Sequence, residues 1–394
     1  MKIVKAEIIP LLIPIEASQL WGLGNTSYYS RMIVRLYTDD GLTGLGEIRG
    51  EAERKTAFEV MSQQILGESP WNLHKIREKI ARAQFVKILG LNVNRVFSAI
   101  ECACLDIQGK ASGRPVYDLL GGKVRDKIPF AAYLFYTRKS EDGTGRDLLE
   151  PEQMAEYCQE LSERFGFTSF KLKGGVLEPD REVDTLAAIR KRFPKAGLRI
   201  DPNAKWGIGA SLRVARRLED LEIEYLEDPT HGMDGMAAVN HKIPWMPLAT
   251  NMCVRAFEDI PYAAAKRAVD VILADPDEYG GLRAIVELDR ICEVFNFDIN
   301  LHSPQEFGVS MASYLHLAAA LPRMGRCYAL DSHYHRLLDD VLEGGMLKYT
   351  DGYMEVPNGP GLGITLDEEK VQQYHRLYLE KGGFSPFFSR PNSN

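Results

Sequence analysis

Seven polar residues recur through the second half of this chain, each closing a short apolar run: Lys173, Asp201, Glu227, Asn251, Asp275, His302 and Asp331, at steps of 28, 26, 24, 24, 27 and 29 residues. The runs are Ser169–Lys173, Gly197–Asp201, Glu224–Glu227, Pro247–Asn251, Asp270–Asp275, Asp298–His302 and Cys327–Asp331, with an eighth, Ile128–Tyr133, before them. A helical segment follows each. A strand, a loop, a returning helix and a second loop use up such a step, and parallel strands require crossovers of this kind. Eight βα units in succession predict an α/β fold of the (β/α)₈-barrel type, whose chemical groups stand at the C-terminal strand ends. Loops are polar anyway, which explains any one of these residues but not the whole set.

The 394 residues leave room for more than a barrel of roughly 250. Residues 1–125 read as an α+β capping domain. Its predicted strands are Lys2–Leu12, Arg31–Tyr37 and Leu42–Ile48, the last two joined by the turn Thr38-Asp39-Asp40-Gly41. A helix is expected over Asn94–Ala111, from Val96, Ile100, Cys104 and Ile107 at spacings of three and four. Residues 126–345 form the predicted barrel, and residues 346–394 a segment expected to return to the cap. The net charge of −7 gives no reason to expect nucleic acid or an anionic membrane as partner. Six cysteines at spacings matching no zinc or disulfide pattern are expected to be reduced. With no signal-peptide pattern and no run of about 18 apolar residues, a cytoplasmic location is expected.

Asp201, Glu227 and Asn251 close three consecutive strands, so their oxygens should converge. Hard oxygen donors suit Mg²⁺, whereas zinc more often asks for His or Cys. Lys171 and Lys173 lie two apart on one strand and share its inward face. Desolvation beside a metal and a second ammonium is expected to lower a lysine pKa and make it a general base. Asp275 and His302 close neighbouring strands, where a carboxylate can hold an imidazole in place. Either Lys173 or His302 can then act as base and the other as acid on one substrate carbon. A carboxylate on a divalent cation has an acidified α-proton, and positive neighbours stabilise the enediolate left when it departs. Reprotonation gives a racemase or epimerase; loss of a β-hydroxyl gives a dehydratase. A binder that only kept the fold would lack part of this set, and none of it is missing.

At Phe170-Lys171-Leu172-Lys173-Gly174-Gly175, Asp201-Pro202-Asn203, Leu226-Glu227-Asp228-Pro229, Ala249-Thr250-Asn251-Met252, Leu273-Ala274-Asp275-Pro276, His302-Ser303 and Ala329-Leu330-Asp331-Ser332-His333 the chain resembles the mandelate racemase branch of the enolase superfamily. Within it, the glucarate dehydratase group is the most similar. The resemblance covers nearly the full length, to Gly-Pro-Gly-Leu-Gly-Ile near the end. It implies Asp201, Glu227 and Asn251 as Mg²⁺ ligands, Lys173 with Lys171 assisting as one acid/base, and the His302–Asp275 dyad as the other. It further implies Asn203 and Asp331 as substrate-binding or polarising groups, acid-sugar dehydration as the activity, and a symmetric homo-oligomer, an octamer or dimer.

Two stretches depart from that group. Pro304-Gln305-Glu306-Phe307 replaces two asparagines and a second His, and Asp277-Glu278-Tyr279-Gly280-Gly281 replaces His and bulky aromatics. Glu306 and Asp277 are expected to repel a distal carboxylate, which admits a monoacid sugar or a differently configured diacid. The superfamily's cap reaches into the barrel mouth, and Trp21-Gly22-Leu23-Gly24-Asn25-Thr26-Ser27-Tyr28-Tyr29 reads as a Gly-containing lid loop. Trp21, Tyr28 and Tyr29 are the candidate substrate contacts there, with interdomain packing as the competing role.

Overall fold

The computed structural model describes residues 1–21, 24–82, 93–139 and 145–381. The cap begins with β1 (Ile3–Trp21), β2 (Gly24–Thr38) and β3 (Thr43–Arg49), an antiparallel meander. Its β2–β3 turn is closed by Gly41 N–H donating to Thr38 O at 3.1 Å, with Gly41 at φ +87°. The helix Val93–Ser112 packs across β3. A Cβ on Gly44 or Gly46 would stand 2.0 or 2.1 Å from the carbonyl oxygens of Ala103 and Ala99, so only glycine lets strand and helix backbones approach this closely.

The barrel strands are β4 (Lys127–Leu134), β6 (Ser169–Lys173), β7 (Gly197–Asp201), β8 (Tyr225–Glu227), β9 (Leu248–Thr250), β10 (Val271–Ala274), β11 (Asp298–Leu301) and β12 (Leu330–Ser332); a two-residue β5 (Tyr136–Thr137) leaves the barrel to pair with β1. Parallel pairing runs in the order β11-β10-β9-β8-β7-β6-β4-β12. The two end strands lie together, and Asn300 Nδ2 donates to Ala329 O across the seam at 2.9 Å. Period-2 alternation sorts the side chains. Phe170, Leu172, Leu198, Ile200, Leu226 and Leu248 pack outward into the main core under the helices, while Tyr225, Ala249, Val271 and Leu273 form a small apolar cluster inside. Lys171, Arg199, Asn300 and Asp331 bring buried polar groups into the same interior.

After the barrel, β13 (Tyr353–Glu355) pairs antiparallel with β4. The chain then reaches the cap: Leu362 N–H donates to Asp106 Oδ1 at 2.8 Å and Val116 N–H to Gly361 O at 2.9 Å. The helix Glu368–Lys381 lies on β1, where His375 Nδ1 bonds Pro10 O at 2.8 Å. Among the described residues, no helix is long and apolar enough to cross a membrane.

Candidate active site

Asp201 and Glu227 are the last residues of β7 and β8, and Asn251 follows β9. Both carboxylates are buried. Asn203, left-handed at φ +49°, folds back so that its N–H donates to Asp201 Oδ1 at 2.8 Å and its Nδ2 to Oδ2 at 3.3 Å. Asp228 lies beneath Asn251, accepting from Thr250 Oγ1 at 2.5 Å and from Asn251 N–H at 2.9 Å. Among the described residues Glu227 Oε1, Asn251 Oδ1 and Asn203 Oδ1 accept no hydrogen bond although all are buried, and Glu227 Oε2 has only the Lys171 ammonium beside it. Buried oxygens are rarely left without a donor. A divalent cation fits them. Among the described residues no three His, Cys, Asp or Glu side chains are grouped to hold a metal ion; here the third oxygen is an amide. Burial and the neighbouring Asp201 push the Glu227 carboxyl well up, whereas for Asp201 the opposing effect of burial is outweighed by Lys173 and Lys171, which hold it down.

Lys173 pairs with Asp201, and Lys171 with Glu227, with Asp331 at 2.7 Å and with the Tyr133 hydroxyl at 2.9 Å. Burial pulls the Lys171 ammonium toward neutrality, but Asp331 and Glu227 outweigh it and raise its pKa well above the ordinary lysine range. Asp331 and Glu227 thus favour the charged form of Lys171. Asp331 is held from below by Arg199 at 3.0 Å. It braces Lys171 and is not in the cavity wall.

A cavity of about 300 Å³ separates the strand ends from the cap. Lys173, Asn203, Asn251, Asp275 and His302 line its barrel side, so five of the sequence-derived residues meet there. His302 Nδ1 bonds Asp275 Oδ2 at 3.2 Å, and Asp275 Oδ1 accepts from Asp277 N–H at 3.2 Å. Burial lowers the His302 pKa despite Asp275, while the Asp275 carboxyl, which burial alone would raise, is held well below its usual range by the His302 hydrogen bond, by the imidazolium charge whenever His302 is protonated, and by the charges of Arg49 and Arg54. His302 is thus neutral, with Nδ1–H on the carboxylate and a lone pair at Nε2.

His333 also lines the cavity, and sequence reasoning gave it no role. Ser303 Oγ donates to Glu306 at 2.5 Å and meets His333 Nδ1 at 2.8 Å. With that hydroxyl hydrogen committed, His333 carries its proton on Nδ1 and leaves Nε2 as an acceptor. Its proximity to His302 required the fold; the only hint in the sequence was its place two residues after Asp331.

Other expectations are corrected. Asn25 to Tyr29 belong to β2 rather than to a lid loop; Gly22 and Leu23, and the side chain of Trp21, lie outside the described residues. Tyr28 faces Lys381 at 5.8 Å, and the buried Tyr29 donates its hydroxyl to Gln19 Oε1 at 2.9 Å; neither lines the cavity. Strand alternation sends Gln19 and Ser30 there instead. Glu306 is tied to Ser303 and Ser332, and Asp277 to Arg54 at 2.8 Å, so neither aims a free negative charge at a ligand.

Residues 4–121 match the family model described as the mandelate racemase/muconate lactonizing enzyme N-terminal domain, and residues 153–370 the one described as enolase C-terminal domain-like. The chain is 38% identical over 380 residues to a probable glucarate dehydratase of Streptomyces coelicolor, covering 90% of this chain and 87% of that protein. It is 28% identical over 361 residues to a D-galactonate dehydratase of Pectobacterium atrosepticum, with 86% and 90% covered. The crystal structure of an enolase from Pseudomonas fluorescens with bound magnesium, potassium and tartrate superposes with a TM-score of 0.91 at 33% identity, covering 97% of this chain and 93% of the other.

Proposed function

The chain belongs to the enolase superfamily, in its mandelate racemase branch, and on that premise we propose that it is a Mg²⁺-dependent acid-sugar dehydratase. It removes the proton α to a carboxylate and expels the β-hydroxyl as water, leaving a keto-deoxy sugar acid. One observation carries this reading. Lys173 and the His302–Asp275 dyad face a single cavity, beside Glu227 Oε1 and Asn251 Oδ1, which lack donors among the described residues. The two dehydratases named above support the reaction class.

Asp201, Glu227 and Asn251 would hold the cation, an oxygen-only set suited to Mg²⁺. When bound, it supplies positive charge that acidifies the α-proton of a carboxylate ligand. Neutral His302 takes that proton on Nε2, and Asp275 stabilises the imidazolium. The C–H electron pair moves into the carboxylate, where the Lys171 ammonium opposes the growing negative charge. That pair then forms the Cα–Cβ double bond as the β-hydroxyl leaves, protonated by Lys173, and the enol relaxes to the ketone.

A keto-acid colour assay of the Mg²⁺-loaded protein against mono- and diacid sugars tests this, with Lys173→Ala and His302→Ala in parallel. Signal from one or two acid sugars, lost in both variants, is expected. Silence across the library, with solvent deuterium entering recovered substrate, would replace dehydration by epimerisation.

A further inference from the structure

Six formally charged side chains line the cavity: Arg49, Glu51, Lys173, Arg255, Asp275 and Glu278. Five are engaged. Lys173 pairs with Asp201, Glu51 with Arg54, Arg255 with Glu278 at 2.8 Å, and Asp275 with His302 at 3.2 Å. Arg49, at the end of β3, makes no direct ion pair and no side-chain hydrogen bond among the described residues, and its charge is felt only at longer range by Asp275 and Asp277. The acids near it in the fold are already committed: Glu47 to Arg31 at 2.6 Å, across the β2–β3 pair from Arg49, and Asp277 to Arg54.

Among the described residues, two further donors without partners stand in the same cap wall. Gln19 is 1% exposed, and its Oε1 is occupied by the Tyr29 hydroxyl, which fixes the amide so that Nε2 is free; Nε2 has no acceptor. Ser30 is 6% exposed, and its Oγ is likewise buried without a partner. That oxygen lies so close to Gly50 that a Cβ there would meet it at 2.0 Å. An unpaired buried donor costs about 1–3 kcal/mol, so two of them beside a guanidinium with no direct hydrogen-bonded partner mark a place where a ligand supplies the acceptors. A carboxylate matches a guanidinium fork and has lone pairs to spare for an amide and a hydroxyl.

We propose that Arg49, Gln19 and Ser30 form a receptor for the second carboxylate of a diacid substrate, so that Arg49 sets the choice between diacid and monoacid sugars. This deepens the dehydratase reading and rests on it. The reacting carboxylate belongs beside Lys173 and Asn251 on the barrel side, and the cap wall holds the far end. Tyr29, expected as a substrate contact, acts instead by holding Gln19.

The test needs no turnover. Succinate, glutarate and adipate, each beside the monoacid of equal length (butyrate, pentanoate, hexanoate), are titrated calorimetrically into the Mg²⁺-loaded protein. At least one diacid is expected to bind about 10- to 100-fold more tightly than its monoacid, the worth of a charge-assisted pair. Arg49→Met should erase most of that preference, and Gln19→Leu should cut it by about 10-fold. A wild-type protein with no preference, or a preference that survives Arg49→Met, overturns the proposal; the wild-type comparison stands even if a variant folds poorly. Failure of the broader reading looks different: no acid sugar yields a keto acid, while the diacid preference persists. A working dehydratase that favours monoacids removes the receptor alone.

Discussion

A buried imidazole serves as a base only if one nitrogen is pinned and the other is bare, and at His302 the pin is Asp275. The group must be neutral to accept a proton, so kcat/KM should fall on the acid side through the His302 pKa, which burial sets below the ordinary 6.5. Asp275 favours the imidazolium. Asp275→Asn should therefore move that limb to still lower pH while the plateau drops about 10²- to 10⁴-fold, as when a triad carboxylate is lost; pH–rate profiles of both proteins check the two effects separately. Glu227→Gln should leave the fold intact but abolish stabilisation by Mg²⁺, which in the parent protein amounts to about 2.7 kcal/mol at a hundredfold excess over Kd. Melting curves with and without Mg²⁺ read it directly. The type of each of these residues was plain from the strand-end pattern. The protonation of Lys171 was not, because Asp331, which helps favour its charged form, is 160 residues away.

Elements announce themselves when their signals are local. The Asp-Gly turn and the three-four spacing of the helix Val93–Ser112 were readable for that reason, as was each βα repeat. The sequence reading ended the first strand at Leu12, yet β1 runs 19 residues, through Pro10 and Pro14. Pro14 adjoins a shift in register between β1 and β2, and among the described residues β1 has a second strand neighbour only at Gln19 and Leu20. Missing N–H groups are tolerated at such bulges and edges. A subtler joint lies in the helix Gly308–Ala320, where buried His316 donates from Nε2 to Leu362 O at 3.1 Å and accepts at Nδ1 from Tyr117 N–H at 3.3 Å. Both nitrogens are used, so protonation must break a bond, and burial lowers its pKa to about 4. A depressed folded-state pKa gives stability that is intact above the unfolded value of 6.5 and is lost as pH falls toward 4, about 3 kcal/mol in all. Urea titrations between pH 7 and 4 should show His316→Asn losing stability less steeply than the parent, by the slope of one proton.

For the whole molecule the decisive joint is the one that sets the cap over the barrel, and it spans most of the chain. Glu47 on β3 accepts from Phe307 N–H and Ser310 N–H, both at 2.9 Å, so a cap carboxylate caps the N-terminus of a barrel helix. Arg31 holds Glu47 at 2.6 Å and reaches the barrel at Ser310 Oγ, 2.9 Å, and Pro304 O, 3.2 Å. These partners stand 260 to 279 residues apart, and this is why the cap's share of the site was illegible while the barrel's was not. Strand-end periodicity encodes the barrel in steps of under 30 residues, whereas nothing local marks Gln19, Ser30 and Arg49 as facing Lys173 and His302. Glu47→Gln removes a buried charge from its partner and should cost about 3–5 kcal/mol in urea unfolding. The loss should not be uniform. Asp201, Glu227 and Asn251 are held by the barrel alone, so Mg²⁺ should still raise the melting temperature of Glu47→Gln, while any discrimination among carboxylates, which needs the cap seated, should weaken. If Mg²⁺ stabilisation and carboxylate discrimination instead fell together, the metal ligands would depend on the seated cap, and the division of labour between barrel and cap would be wrong.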